Sequence, residues 1–479
     1  MKINITHISS LFLLLGLTTS CKDELAKINK NQNEAETPQP AYLLTSTIKT
    51  TTDSYWGVSN NLASSLLFVQ HWARVQYTDP DRYIFTNNDF NEGWSTWYSK
   101  SISQLKLIQK LVANPENNNY KGVSLVLQSW IFSLLTDAYG DIPYTETGDI
   151  NNYLTPRYET QESVYRGLLN DLKNAQSLLK TDGEAIQGDI IYGGKIINWK
   201  HFANSLRLRF ALRIADRLPD LAKTTLQEVA AEGSGYINSN DEIAQLVYQD
   251  APNRNPVSSS FEAREDYRVS KTMVDKLVTL GDPRLEIYAD TTFKKTSERY
   301  IGLPNGLTSS EASSIGFDLT SRPGIYFRQP KAPAVILSYS EVLFGLSEAV
   351  SRGFITGDAA DLYQKAIRAS LEQYKISSNS IDTYLRQKSV IFDPNNFKKS
   401  IGEQKWIALY GQGLEAFAEW RRLDYPQLTP AKAGALGGKI PTRFLYPGTE
   451  QSLNGANYQE AIKHQGSNTL LTKLWFDKE

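Results

Sequence analysis

Apolar side chains in this chain recur at three- and four-residue spacing, segment after segment, while two-residue alternation is short and scarce. That period places them on one face of a helix, so it commits most of the chain to α-structure. Residues 53–77 carry Tyr55, Leu62, Leu66, Val69, Trp72 and Ala73 near this spacing. Residues 92–112 carry Trp94, Trp97, Tyr98, Ile102, Leu105, Ile108 and Leu111. Residues 120–138 are apolar nearly all round, which predicts a central helix. Residues 159–180 are amphipathic, with Thr160 as N-cap and Gln161 and Glu162 in the first turn. Further helices are expected over 198–216, 219–232, 267–280, 338–351, 356–376 and 404–418.

These segments pair in sequence: 92–112 with 120–138, 159–180 with 198–216, and 338–351 with 356–376. The last pair reads like a tetratricopeptide unit, in which Gly345 and Ala349 allow close helix approach and Tyr363 and Ala366 fit the second helix. Several such pairs predict an α-helical repeat core. The stretches 181–197, 233–266, 290–337 and 424–470 are long and rich in Gly, Pro, Ser and Asn. Loops of that length inside a compact domain usually carry function, and here they predict an irregular face laid over the helices.

Composition removes several function classes. With 41% hydrophobic and 22% charged residues, the chain can bury a core. Lys plus Arg number 51 against 52 Asp plus Glu, so the basic excess that nucleic-acid binding needs is missing. One cysteine, Cys21, excludes an internal disulfide, a Cys-based zinc site and an iron–sulfur cluster. Ahead of it lie Lys2, the apolar run Leu11 to Leu17, and the small residues Thr18, Thr19 and Ser20. This is a secretory signal, too short to span a bilayer. Leu17-Thr18-Thr19-Ser20-Cys21 resembles a bacterial lipobox, which implies lipidation of Cys21 at the first mature position. The alternative is a stray thiol after an ordinary signal. The expected organisation is a signal peptide over 1–20, a flexible tether over 21–40 and a single helical domain over 41–479.

Catalytic and metal motifs are sparse. His71, His201 and His464 have no His or Cys partner at ligand spacing, and no metal or cofactor is expected. Asp81, Asp89 and Asp282 lie in loops without the spacing of a calcium-binding loop. No phosphate-binding Gly-rich loop and no Gly-x-Ser-x-Gly elbow occurs. Glycoside hydrolysis needs two facing carboxyls, and the candidates are Glu415 with Glu419 and Asp137 with Asp141. The structural reading competes: Glu419 precedes Arg421 and Arg422 and pairs with charge, while Asp137 and Asp141 cap a helix end and a turn. No catalytic residue is assigned.

Longer motifs go further. They are Thr136-Asp137-Ala138-Tyr139-Gly140-Asp141-Ile142-Pro143-Tyr144, Thr155-Pro156 through Tyr165, and Asp189-Ile190-Ile191-Tyr192-Gly193-Gly194. Trp199-Lys200 with Phe202 to Arg209, Pro333 to Leu337, Trp420-Arg421-Arg422 and Arg443 to Pro447 follow. Together they resemble the SusD-like (SusD/RagB) outer-membrane lipoproteins of Bacteroidetes, in the starch-binding-associated subgroup. Gly194 departs from the Asp of the family pattern, and Trp475-Phe476 from its Trp pair. The resemblance implies a mainly α fold of tetratricopeptide-like helix pairs, a right-handed scaffold beneath a long-loop face. It also implies a non-enzymatic, surface-exposed, lipid-anchored protein of the outer membrane. Such a protein captures oligosaccharides, or peptides in some branches. It delivers them as a hinged lid to a SusC-like TonB-dependent transporter. The alternatives are a secreted α-helical glycoside hydrolase and a tetratricopeptide-type adaptor that binds peptides or proteins. Sugar rings stack on aromatic faces, so the ligand candidates are Tyr300, Tyr326 and Phe327 in the loop-rich stretch, with Trp56 and Trp94 near helix starts. Trp72, Trp97, Trp130, Trp199, Trp406 and Trp420 sit on apolar stripes and are expected in the core.

Overall fold

The structure is a computed structural model that describes residues 38–112, 118–295 and 297–477. Cys21, the signal segment and the tether up to residue 37 lie outside the described residues. The helices of eight or more residues with α-geometry are α1 (Pro40–Tyr55), α2 (Ser103–Leu111), α3 (Asn118–Tyr139), α4 (Gln161–Leu178) and α5 (Ile196–Arg213). They continue as α6 (Pro219–Ala231), α7 (Pro256–Ala263), α8 (Lys271–Leu280), α9 (Tyr339–Ser351) and α10 (Ala359–Gln373). The last are α11 (Ser378–Leu385), α12 (Phe397–Ala408), α13 (Gly413–Leu423) and α14 (Gly455–Gln465). The strands are short: β1 (Trp72–Arg74), β2 (Ile142–Pro143), β3 (Tyr158–Glu159), β4 (Ala244–Val247), β5 (Tyr267–Val269) and β6 (Pro333–Leu337). They form three two-stranded antiparallel ribbons, β1 with β5, β2 with β3, and β4 with β6.

The fold is mainly α, in tetratricopeptide-like helix pairs. α2 packs on α3, α4 on α5, and α9 on α10, as the sequence predicts, and α3 also packs closely on α4. Thr160 caps α4 by accepting the Ser163 amide at 3.1 Å. Gly345 is where α9 meets α5: a Cβ there would lie 3.1 Å from Leu208 and 3.2 Å from Leu212, so the missing side chain sets the spacing. α3 is buried along most of its length, as its all-round apolarity predicts. Trp72, Trp97, Trp130, Trp199 and Trp406 are buried in one contiguous core, and half-buried Trp420 packs against it.

Three predicted helices are interrupted. Within 53–77, α1 stops at Tyr55, a π-helix occupies Val58–Ser65, and the chain then turns into β1. Gly57 makes the break: it is extended, and a Cβ would sit 2.6 Å from the Asp53 carbonyl. Within 267–280, Tyr267 to Val269 pair with β1, and the helix starts only after Ser270, whose hydroxyl caps the Thr272 amide. Residues 404–418 divide at 409–412, where Gly411 takes φ +87° between α12 and α13.

Two layers result. The helical layer holds the main core. Above it, β1, the 303–312 loop and Ile315 and Phe317 share a small separate cluster built on Ala73, Val75, Leu303, Leu307 and Ala312. That satellite core supports the loop-rich face.

Candidate functional site

The carboxylates that sequence alone offers as an acid pair lie inside an ionic layer between helices. α5 contributes Arg209 and Arg213, α9 Glu341 and Glu348, α12 Lys405, and α13 Glu415, Glu419 and Arg422. Arg209 grips Glu341 through two hydrogen bonds of 2.7 Å. Arg213 lies 2.6 Å from Glu415, 3.0 Å from Glu419 and 3.3 Å from Asp137. Arg422 bonds both oxygens of Glu348, at 2.5 and 2.6 Å, and both of Glu419, at 3.0 and 2.7 Å. Burial pushes the Glu419 carboxyl up, but Arg422, Lys405 and Arg213 outweigh it and hold it well below the usual range. Glu415 follows the same pattern: burial raises it, and Arg209 and Arg213 bring it down. Neither carboxyl reaches a solvent-facing cleft, so this pair offers no acid to a substrate. Asp137 belongs to the same layer instead of capping a helix end; it also accepts the Tyr165 hydroxyl. Asp141 does cap, accepting the Gln161 amide at the start of α4, and it pairs with His464 at 2.6 Å.

The acidic loop residues are committed as well. Asp81 accepts the Arg74 and Gly306 amides and the Asn305 amide group; burial pushes its carboxyl up to about 6 against those donors. Asp282 pairs with Arg284, and Asp89 closes a capping box with Thr86. Among the described residues no group of three His, Cys, Asp or Glu could hold a metal ion.

A different region has the geometry of a binding site. A cleft of about 790 Å³ opens in the loop-rich face, lined by Glu286, Asp290, Thr292, Phe293, Arg299, Tyr300 and Arg322 among others. Its floor follows from backbone stitching. Ala289 bridges Pro323 antiparallel, the Asp290 amide donates to the Arg322 carbonyl, and the Gly324 amide donates to the Tyr288 carbonyl. Gly324 is required there, since a Cβ would sit 1.9 Å from the Ile287 carbonyl oxygen. Ser321 and Ile301 exchange a further pair of hydrogen bonds, and Thr292 N donates to Arg299 O across the rim.

Side chains then fix the aromatic surface. The Arg322 guanidinium lies 4.5 Å over the Phe293 ring and is itself held by Glu265 at 2.7 Å and Asp290 at 3.5 Å. Asp290 also binds Arg328 and accepts the Ile325 amide, so it ties both walls together. One face of Phe293 is thus occupied, while the residue remains 61% exposed. Arg299 lies 5.7 Å over the half-buried Tyr300 ring, whose phenol is pushed up by burial and by Glu286. Exposed Tyr77, at φ +50°, repeats the arrangement with Arg264 at 4.3 Å. Arginine on one face of a ring orders it and leaves the other face for an apolar C–H surface.

Of the sequence candidates, Tyr300 lines this cleft. Tyr326 is half-buried beside it, edge-on to Phe327 and Tyr374. The structure places the other three in the core. Trp56 is 3% exposed, and its indole N–H donates to the Val335 carbonyl. Trp94 packs among Tyr98, Tyr139, Tyr158 and Tyr446, with its N–H on Glu450. Phe327 packs on Tyr288 and Tyr410. All three rings are buried, and the two indole N–H groups are taken up by acceptors inside the protein. Phe293, Arg322 and Tyr77 are not apparent from periodicity. The signal was there in another form: Phe293 stands in Thr-Thr-Phe-Lys-Lys-Thr and Tyr77 in Gln-Tyr-Thr-Asp, single rings in polar runs with no apolar neighbour to pack against.

The paired helices, the ionic layer and the aromatic cleft describe a binding scaffold. The sequence profile of the SusD-like family, described as starch-binding and associating with the outer membrane, matches residues 30–447. This chain belongs to that family. Among solved structures it is similar to a chitin-binding protein, at 30% identity and a TM-score of 0.85, over 92% of this chain and 100% of that one. A SusD homologue from Bacteroides uniformis matches at 26% identity and a TM-score of 0.81, over 91% and 100%. A chitin-binding SusD homologue from Flavobacterium johnsoniae matches in fold, at 24% identity and a TM-score of 0.83, over 92% and 98%. No curated protein matches the chain. Among the described residues no helix is long and apolar enough to cross a membrane.

Proposed function

We propose that this protein captures oligosaccharides at the cell surface, without turnover, and delivers them to a SusC-like TonB-dependent transporter, over which it moves as a hinged lid. The mature chain begins at Cys21 after a signal of residues 1–20; lipid on that thiol and a tether to about residue 40 hold the domain over 41–479 at the outer membrane. The observation that carries the ligand reading is Phe293. It is a large exposed ring, backed by Arg322, at the edge of a cleft that mixes aromatic faces with carboxylate, hydroxyl and guanidinium groups. That mixture suits sugars, which pair apolar C–H faces with hydroxyls. Chito-oligosaccharides are the first ligands to test, given the chitin-binding protein that shares 30% of its residues with this chain.

Calorimetric titration of the mature protein against chito-oligosaccharides, malto-oligosaccharides and a peptide panel tests this. Binding is expected in one glycan series, and Phe293→Ala is expected to weaken it by about 1–2 kcal/mol, roughly 5- to 30-fold in Kd. Hydrolysis of the bound glycan would sink the non-enzymatic reading. The second reading is peptide capture by the same cleft. Its motivation is Glu286, Lys295 and Arg299, charged groups that fit a peptide as well as a sugar. Binding confined to the peptide panel would select it.

A further inference from the structure

Tyr410 lies in the core, far from the cleft in sequence, between α12 and α13. Its ring stacks on Tyr288 with centroids 4.2 Å apart and planes 7° apart. Its hydroxyl accepts the Trp72 indole N–H at 2.9 Å and donates to the main-chain carbonyl of Tyr288, also at 2.9 Å. That carbonyl accepts a second bond, from the Gly324 amide. The residues that follow Tyr288 are Ala289 and Asp290, the cleft floor; those that precede Gly324 are Arg322 and Pro323, the cleft wall that carries the guanidinium over Phe293. One carbonyl oxygen is therefore the point where floor, wall and scaffold meet.

The scaffold side of that point is rigid. Asn61 clamps the 409–412 link by donating to the Gly411 carbonyl at 3.0 Å and accepting the Gly413 amide at 2.8 Å. Trp72 belongs to β1, which is itself paired to β5. The cleft side is held by backbone bonds between loops and by Arg328, which bonds the Pro323 carbonyl and the Asp290 carboxylate. A hydroxyl fixed by an indole on one side transmits that position to the carbonyl on the other, because both oxygens are buried and neither has water as an alternative partner.

We propose that Tyr410 is a positioning residue for the cleft: its hydroxyl sets the register of the 289–290 and 322–324 segments, and through them the Arg322–Phe293 stack that receives ligand. The affinity part of this rests on the cleft being the binding site; the structural part does not.

The test compares Tyr410→Phe with Tyr288→Phe in the mature protein. Each removes one hydroxyl and keeps the stacked ring. The Tyr288 hydroxyl donates to the Ile407 carbonyl on the scaffold side, so its loss leaves the Tyr288 carbonyl with both donors. Hydrogen exchange at the Asp290 and Gly324 amides is expected to quicken about 5-fold or more in Tyr410→Phe and to stay unchanged in Tyr288→Phe. Titration with whichever oligosaccharide binds the wild type is expected to show about 3-fold weaker binding in Tyr410→Phe alone. Unchanged exchange in Tyr410→Phe, or the same acceleration in both variants, overturns the proposal. A wild-type protein that binds no ligand on the panel defeats the cleft reading instead, and the exchange arm still decides the positioning role.

Discussion

Arginine does two different jobs in this molecule. In the helical layer, Arg209, Arg213 and Arg422 are buried, and each meets at least two carboxylates. In the loop-rich face, Arg322, Arg299 and Arg264 lie over aromatic rings that solvent still reaches. The first use turns the guanidinium onto carboxylates inside the protein and fixes helix against helix. The second holds a ring in place and leaves its far side free. The neighbours decide which: in the ionic layer the desolvated guanidiniums are matched by carboxylates, whereas at the loop-rich face each guanidinium rests on an aromatic quadrupole and keeps water at its edges. Damage in the first region is therefore expected to unfold the protein, and damage in the second to spare the fold and remove the ligand.

The sharpest way to break the contrast is Arg422→Ala. It strips two donors from Glu348 and two from Glu419. Leaving such charges buried and under-paired costs about 3–5 kcal/mol, read as a fall in the denaturation midpoint at unchanged m-value.

Acid is the next largest lever. His71 is buried beneath β1, with its Nε2 on the Trp406 carbonyl; burial lowers it from an ordinary 6.5 to about 3, against the raising effect of that bond. It is neutral in the folded state, whereas the unfolded chain takes up the proton below pH 6.5. Its contribution to stability is complete above pH 6.5 and is lost as pH falls from there toward 3, at about 1.4 kcal/mol per pH unit. Denaturation between pH 7 and 4.5 should show that slope, and His71→Gln should flatten it. An unchanged slope in the variant would assign acid sensitivity to other groups.

Phe293→Ala tests the other side of the comparison. The loss of about 1–2 kcal/mol in ligand binding should come with no shift in melting temperature, since the ring is largely exposed and rests against Arg322. A melting shift comparable to that of Arg422→Ala would erase the distinction between the two regions. The smallest effect marks the baseline. Lys271→Ala breaks an exposed pair with Asp275 on α8 and should cost about 0.3–0.5 kcal/mol, near the limit of a chemical denaturation curve.

Much of the scaffold was legible in the sequence, because helical period is a local signal. The pairing of α9 with α10 and the cap at Thr160 follow from residues within one or two turns; Gly345 is a close-approach position, but the helix it meets is α5, from another pair. The interruptions were not legible. Tyr267 to Val269 is strand because β1 lies beside it, a partner nearly two hundred residues away, and Gly57 breaks a helix through a main-chain clash that periodicity does not register. The candidate cleft was legible in one residue only. Tyr300 was singled out for lying in a long loop, and it lines the cleft. Trp56 and Trp94 stand near helix starts, yet both rings turn inward, each burying its large apolar area while its N–H keeps an acceptor in the protein. Phe293 was missed because an aromatic in a polar run gives no pattern to read; only the guanidinium brought from residue 322 shows why it stays at the surface.

The shared carboxylates of the ionic layer also bear on how such a chain can change over time. Glu419 answers to Arg213, Lys405 and Arg422 at once, so replacing any one of these four leaves the rest mismatched, and a neutral path runs only through concerted replacements. The rings of the cleft carry no such obligation and can be exchanged one by one. A lineage built on this plan can rewrite its cleft residue by residue while its framework stays locked.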